Sequence, residues 1–220
     1  MKFVTFLNSG CIDICKNMLK SAELVGIDLD DFYIACLDEN SYENLKQYKN
    51  AYLYVDQEIT EYQDWSFSEE SKFRSIVQYK WKIIEETYSK HKDLCWVDTD
   101  IVFKENPTSY LKSFDKMSFQ CDLPGSLICT GFMKFDDTEV CNHLISVCAS
   151  YDGQDDQLIF NHFSKEYSDY FILLNEDLFP NGNSYYNLGK KDKAMIVHNN
   201  WMVGIELKID RFKEEGLWFI

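Results

Sequence analysis

The 220-residue sequence predicts a single α/β domain, a mixed and mostly parallel central sheet flanked by helices. Three observations predict it. Through the first half of the chain, apolar runs of strand length alternate with stretches of helical periodicity, the β-α-β-α-β order that builds a parallel sheet with covering helices. Several of these runs stop at a polar residue: Leu7 before Asn8, Leu37 before Asp38, Val97 before Asp98 and Val197 before His198. Finally, 45% hydrophobic and 16% aromatic residues, with only three prolines and no low-complexity run, give a chain that fills a large core and has no cause for disorder.

Taken in order, residues 2 to 7 form the first strand. From Gly10 the apolar positions Cys11, Ile14, Cys15, Met18, Leu19 and Ala22 follow helical spacing, with Ser9 as N-cap. Phe32 to Leu37 is a second buried strand, Ser41 to Lys49 a short helix, and Ala51 to Val55 a third strand. A loop holding Trp65 leads to a long helix over 69–91, capped by Ser68, with an apolar stripe of Phe73, Ile76, Val77, Trp81, Ile84 and Tyr88. Leu94 to Val97 is the fourth strand. It runs into Asp98-Thr99-Asp100 and out again through Ile101-Val102-Phe103.

Beyond Pro107 the pattern changes. Lys116 to Cys121 and Leu127 to Phe135 are strand-like, the second interrupted by Thr130-Gly131, where a bulge or a close ligand approach is expected. Glu139 to Ser150 is amphipathic, and Asp155-Asp156-Gln157 opens another helix. Phe171 to Leu174 is a strand, Phe179-Pro180-Asn181-Gly182 a turn, and Ala194 to Val197 a last buried strand ended by His198. No repeat or linker divides the chain, so residues 1–220 are one domain with a nucleotide-type front half over 1–107.

A net charge of −15 disfavours nucleic acid and anionic membrane surfaces as partners. A phosphate-bearing ligand would need a metal and local cations to offset that field. No run reaches the roughly 18 apolar residues of a membrane span, the N-terminal run is too short for a signal peptide, and no glycosylation sequon occurs. The eight cysteines fall mostly inside apolar segments and read as reduced, buried thiols, so the expected location is cytoplasmic. Cys11 and Cys15 share a helical spacing, and no paired Cys/His motif completes a zinc site.

Several residues carry candidate chemistry. In an extended chain Asp98 and Asp100 point the same way, so both carboxylates can reach one point and share a hard cation, Mg²⁺, Mn²⁺ or Ca²⁺; the alternative is a strand end facing water. His198 is either a further ligand or an ordinary hydrogen-bonded residue. Gly204 allows close backbone approach and Lys208 can meet a phosphate, or lie solvated on a helix. Asp155 and Asp156 either favour a helix start or face a substrate, with Gln157 beside them. Asp38 is placed as a ribose- or base-binding acid or as a helix cap. Lys80 sits mid-helix with Lys72, Arg74 and Lys82, a basic stretch in an acidic chain. There is no G-x-G-x-x-G, Walker A, G-x-S-x-G or H-E-x-x-H segment.

These segments together resemble the GT-A fold glycosyltransferases, and within them the nucleotide-diphospho-sugar transferase family, over nearly the whole chain. Val4 to Gly10 looks like the family's first strand and nucleotide loop, which brings in Thr5, Leu7 and Asn8 as donor contacts. Leu37-Asp38 looks like its second strand end, and Lys80 stands at the usual distance ahead of the metal motif. Trp96 to Val102 is similar to the D-x-D segment, including Thr99. Cys129-Thr130-Gly131-Phe132-Met133 resembles a segment in which the family has asparagine at the first position. Asp156-Gln157 with Asn161 resembles the D-Q-x-x-x-N element, Phe179 to Gly182 a late F-P-x-G turn, and Val197 to Gly204 with Lys208, Arg211-Phe212 and Leu217-Trp218 the C-terminal segment.

The resemblance implies a Rossmann-like GT-A domain that transfers a hexosyl or pentosyl group from a UDP- or GDP-sugar, with Mn²⁺ or Mg²⁺ bridging the diphosphate. Asp98, Asp100 and His198 would hold the metal, and Gly204 and Lys208 would lie near the diphosphate. Thr130 and Gly131 would position the sugar, and Asp155, Asp156 and Gln157 would face its reacting centre. Residues 108–220 would be the acceptor- and sugar-binding half, with the acceptor a glycan, protein or small molecule, and transfer would retain configuration. Two rival readings are a sugar-1-phosphate nucleotidyltransferase and an inactive relative. The first leans on a basic glycine-rich loop that Asn8-Ser9-Gly10-Cys11 lacks; the second fits poorly with intact Asp98, Asp100 and His198.

Overall fold

The computed structural model describes residues 1–54, 70–123, 127–151 and 155–220, with side chains of the long helix from residue 79 onward. The expectations at Val55, Trp65, Ser68, Lys72, Phe73, Arg74, Ile76 and Val77 lie outside this description. The described strands are β1 (Lys2–Leu7), β2 (Phe32–Cys36), β3 (Ala51–Leu53), β4 (Leu94–Val97), β5 (Ile101–Phe103), β6 (Met117–Leu123), β7 (Leu127–Phe135), β8 (Phe171–Leu173) and β9 (Ile196–His198). The helices are α1 (Ile12–Leu24), α2 (Glu39–Leu45), α3 (Glu70–Lys90), α4 (Thr108–Lys112), α5 (Glu139–Ser150), α6 (Asp156–Ser164) and α7 (Ile205–Glu214).

Seven strands form the central sheet in the order β3-β2-β1-β4-β7-β6-β8, and β5 pairs with β9 apart from it. The first four sheet neighbours are parallel, as the alternating pattern predicts; β7 then runs antiparallel to β4 and to β6, and β8 is parallel to β6. The sheet is therefore mixed, and its direction changes beside the Asp-Thr-Asp segment.

Alternation along the buried strands separates two cores. Phe3, Leu7, Cys95 and Val97 face α1 together with Phe212 of α7 and the β5–β9 pair, while Val4, Phe6, Leu94 and Trp96 face α3, α5 and α6. Trp81, Ile84 and Tyr88 of the predicted α3 stripe are buried in the second core, where Trp81 stacks on Phe160 with ring centroids 5.0 Å apart. Both faces of β4 are thus covered, which is why its sequence reads as continuous apolar residues.

Two local expectations are corrected, and one element is new. The turn before α1 is capped by Asn8, whose side chain accepts the Gly10 N–H at 3.1 Å, and a 3-10 turn over Ser9–Cys11 precedes the helix. The second helix starts at Glu39 because Asp38 and Ser41 form a capping box, and it ends at Leu45. The short helix α4 after Pro107 had no expectation; Pro107 is its N-cap, and a fixed φ suits a helix start.

Candidate active site

Asp98, Thr99 and Asp100 form a turn between β4 and β5, closed by the Ile101 N–H donating to the Asp98 carbonyl at 3.2 Å. The two carboxylates converge because of that turn, and the extended-chain geometry expected for them does not occur. Asp98 is fixed from three directions. Its N–H donates to the Gly131 carbonyl at 2.8 Å, the Trp96 indole N–H donates to Oδ1 at 2.7 Å, and Lys80 Nζ lies 3.4 Å from the same oxygen.

The turn also redirects the chain out of the main sheet, and this brings in the third candidate ligand. β5 pairs antiparallel with β9 in a register that sets Ile101 opposite His198. His198 Nε2 lies 3.3 Å from Asp100 Oδ1, while Nδ1 lies 2.7 Å from Gln120 Oε1. The Gln120 amide is oriented by its Nε2, which donates to the Phe179 and Pro180 carbonyls at 3.3 and 2.9 Å. Nδ1 is therefore the donor to Gln120, and Nε2 is aimed at the carboxylates, the second contact that orients a metal-binding imidazole. One oxygen of each carboxylate and one His198 nitrogen lie within 4.8 Å of one another. Two carboxylates and an imidazole are a donor set that suits Mn²⁺ or Mg²⁺, and the residues fit such an ion.

Lys208 Nζ sits 2.6 Å from Asp100 Oδ2. Burial alone would raise the Asp100 carboxyl, but Lys208 and His198 hold it well below the usual range. Burial likewise works against a charged His198, yet Asp100, and then Cys129, push its imidazole up to about 10. Asn199 holds this segment to α7: its amide donates to the Lys208 carbonyl at 2.9 Å and accepts from Arg211 at 3.3 Å.

β7 supplies the floor. The β6–β7 register shifts between Phe119, opposite Met133, and Gln120, opposite Cys129, so Thr130 to Phe132 bulge against β6. Gly131 occupies the bulge for a steric reason: a Cβ there would lie 2.2 Å from His198 Cε1 and 2.9 Å from Asp98 Oδ2. Thr130 donates its hydroxyl to Asp156 Oδ2 at 2.8 Å, and its N–H reaches Gln157 Oε1 at 3.4 Å.

Lys80 joins the two acidic positions. Its Nζ is 2.7 Å from Asp156 Oδ2, in addition to its contact with Asp98, and it donates to the Thr130 carbonyl at 3.3 Å. Burial opposes the charge on Lys80, but Asp156 and Asp98 outweigh it and hold the ammonium well above its ordinary range. Asp155 has a structural task as the α6 N-cap, with Oδ1 accepting the N–H groups of Gln157 and Leu158, both at 3.0 Å. Asn161 pins α6 to β7 by bonding both the N–H and the carbonyl of Ile128 at 2.8 Å.

These groups line a cavity of about 410 Å³, a size typical of small-ligand sites. Of the residues expected from sequence, Lys80, Asp98, Thr99, Asp100, Thr130, Gly131, Asp155, Asp156, Gln157, His198, Gly204 and Lys208 meet at this cavity. Thr5, Leu7, Asn8 and Asp38 do not line it. Thr5 and Leu7 are fully buried in the sheet, Asn8 caps the turn before α1, and Asp38 accepts the Ser9 and Ser41 N–H groups at 2.6 and 2.7 Å. Asp38 is the N-cap of α2.

Sequence reasoning missed Gln120 and Asp122, and it had Asn200 and Trp201 only as part of the Val197 to Gly204 segment, with no role. Gln120 announces itself only as a polar residue inside the apolar Met117 to Cys121. Asp122 accepts from Gln157 Nε2 at 3.1 Å, Asn200 Nδ2 at 3.3 Å and Trp201 Nε1 at 2.9 Å, bringing two distant segments to one carboxylate. The Phe179 to Gly182 turn braces the same corner. Asn181 bonds the Cys121 and Asp122 carbonyls, the Gly182 N–H donates to Asn200 Oδ1 at 2.6 Å, and a Cβ on Gly182 would lie 2.1 Å from the Asn200 carbonyl.

A family model for nucleotide-diphospho-sugar transferases matches residues 28–212. The chain belongs to that family. It is 25% identical to a UDP-galactose:fucoside alpha-3-galactosyltransferase of Dictyostelium discoideum, with all of this chain and 43% of that protein covered. A UDP-D-xylose:L-fucose alpha-1,3-D-xylosyltransferase of Arabidopsis thaliana is 40% identical over 53 residues, 22% of this chain and 14% of that protein. The chain thus spans less than half the length of these curated relatives. In fold it is similar to the galactosyltransferase LgtC in complex with donor and acceptor sugar analogs, with a TM-score of 0.58 at 11% identity over all of this chain and 97% of that one. The sheet and flanking helices are therefore those of a GT-A domain. Among the described residues, no helix is long and apolar enough to cross a membrane.

Proposed function

We propose that this chain transfers a hexosyl or pentosyl group from a nucleotide-diphosphate sugar to an acceptor hydroxyl, in a cation-dependent reaction that retains anomeric configuration. The observation that carries this reading is the convergence of Asp98, Asp100 and His198, with Lys208 beside them, at a cavity in a chain of this family. When bound by those three residues, Mn²⁺ or Mg²⁺ would act as a Lewis acid on the donor diphosphate. Lys208 adds a fixed positive charge where a departing nucleoside diphosphate becomes most negative. The same cations answer the difficulty that a net charge of −15 sets for an anionic donor.

On this reading Thr130, Gly131 and Gln157 hold the transferred sugar, and Asp156 faces the positive charge that develops at its anomeric carbon. The Asp156 charge is already shared with Lys80 and the Thr130 hydroxyl. That sharing weakens it as a nucleophile and supports exchange on one face over a covalent sugar–enzyme ester. The bond from the anomeric carbon to the phosphate oxygen breaks, a bond to the acceptor oxygen forms on the same side, and the acceptor proton passes to the departing phosphate. No separate base is required.

The relatives' names pair a UDP-sugar with fucose or a fucoside and an alpha-3 linkage, which favours a UDP-sugar donor and a fucosyl acceptor here. Eight free cysteines, all buried, support a reducing, cytoplasmic setting. The test is nucleoside diphosphate release from a panel of UDP- and GDP-sugars, with Mn²⁺ or with EDTA. Metal-dependent release from one or a few donors, abolished in Asp100→Ala, is the expected result. If every donor stays intact, or if pyrophosphate is released from a nucleoside triphosphate and a sugar phosphate, the transferase reading fails.

A further inference from the structure

Trp201 combines three properties that seldom coincide. It is the only non-glycine residue with a positive φ among the described residues, at 58°, a conformation costly for a bulky L-residue. The residue is 54% exposed although it lines the cavity. And the ring is not free to turn, because its indole N–H is held by Asp122 Oδ1 at 2.9 Å.

The backbone beneath is equally constrained. Asn200 is fixed by the Gly182 N–H, and Gly182 packs so closely on the Asn200 carbonyl that no side chain fits there. The other oxygen of Asp122 accepts from Gln157. One carboxylate thus sets the indole at a defined distance from the residue that faces the transferred sugar. Met202 and Val203 continue the rim, and Val203 is 54% exposed. The result is an aromatic face held in one orientation, with Met202 and Val203 as an apolar border, in the same cavity as the charged groups Lys80, Asp98, Asp100, Asp156 and Lys208.

We infer that Trp201 is the platform on which the acceptor sugar stacks, and that its apolar border selects acceptors with an apolar face, as a 6-deoxyhexose has. The inference rests on the glycosyltransferase reading above for the reaction, but stacking itself requires no turnover. The ring face is electron-rich and attracts the weakly positive C–H groups on one side of a pyranose. A C6 methyl beside Val203 and Met202 loses contact with water, whereas a C6 hydroxyl there would be stripped of its hydrogen bonds. The indole N–H stays on Asp122, so the ring meets the sugar with its face and leaves the acceptor hydroxyls to other groups.

The experiment compares methyl α-L-fucoside with methyl α-L-galactoside, which differ only in the C6 hydroxyl. Wild-type protein should favour the fucoside at least about tenfold in kcat/KM. Trp201→Ala should raise the fucoside KM about tenfold and erase the preference, while donor KM moves less than twofold. Trp201→Gly, which also relieves the positive φ, should behave like the alanine variant, and Trp201→Phe, which keeps a ring, should fall between. Saturation-transfer NMR with the fucoside, in the presence of UDP and diamagnetic Mg²⁺, judges the platform apart from catalysis. A strong C6 methyl signal in wild type that is lost in Trp201→Gly supports it even if no donor is turned over. No fucoside signal in wild type overturns it even if donors are hydrolysed, and so does an acceptor KM that stays within twofold or rises in parallel with the donor KM.

Discussion

Two acidic strand ends in this molecule look alike in sequence and differ in use. Asp38 follows β2, and Asp98 with Asp100 follows β4; both strands lie in the parallel part of the sheet. Asp38 is satisfied by backbone, through the Ser9 and Ser41 N–H groups. Asp98 and Asp100 are satisfied mainly by the charged or chargeable side chains Lys80, Lys208 and His198, with the buried Trp96 indole N–H on Asp98. A carboxylate consumed by fixed backbone donors stabilises the fold. One held by side-chain cations at a cavity has the surroundings that the proposed metal and diphosphate site needs.

The largest effect should come from breaking the β4 corner. Asp100→Asn keeps shape but removes the charge shared by Lys208 and His198, and kcat for sugar transfer should fall by about a thousandfold or more, since single preorganised electrostatic contacts are worth ~10²–10³. Binding provides a second readout. Saturating Mn²⁺ should raise the wild-type Tm by several degrees, as roughly 2.7 kcal/mol of linkage at a hundredfold excess over Kd implies, and leave that of Asp100→Asn almost unmoved.

Gly131→Ala tests the same corner sterically. His198 is buried and tied to Gln120, so it has little room to retreat from a Cβ at 2.2 Å. We expect a loss of about a hundredfold in activity, from misplaced groups, and a weaker Mn²⁺ shift. If the variant retains wild-type activity and metal response, the tight packing of Gly131 under His198 is not what positions the imidazole.

Lys80→Met should act chiefly on stability. It leaves buried Asp156 without its counter-charge, a change that costs roughly 3–5 kcal/mol when a buried pair is broken from one side. Adding Asp156→Asn should restore much of that loss in denaturant unfolding while activity stays low. A double variant as unstable as the single one would show that packing, and not charge, dominates at Lys80.

The smallest effect belongs to Asp38→Ala. Loss of a cap costs about 1 kcal/mol, or a Tm drop of roughly 2–4 °C for a chain of this size, which calorimetry can resolve. The contrast between the two strand ends would collapse if Asp38→Ala lowered kcat as deeply as Asp100→Asn.

Much of the fold was legible because its signals are local. The strands β1, β2 and β4 and the helix α5 follow from apolar runs and helical spacing that tertiary contacts do not override. Asp98 and His198 were legible as candidates because each ends an apolar run, and Asp100 because it stands two residues after Asp98. Their meeting was not legible from periodicity, because β5 leaves the sheet through a turn and pairs with β9 nearly a hundred residues away. Asp38 shows the limit from the other side: its capping bond to Ser41 is local, but the second N–H its carboxylate accepts belongs to Ser9, which follows another strand.

By itself the sequence determined the order of strands and helices, the two-sided burial of β4 and the residue types able to hold a cation, because these depend on period and composition. The tertiary structure alone decided which carboxylates share a point, which histidine nitrogen faces them, why Gly131 has no side chain, and that Asp122 holds Trp201. Those are distances between segments far apart in the chain, set by sheet register and by the turn at Asp98 to Asp100, and no short-range pattern encodes them.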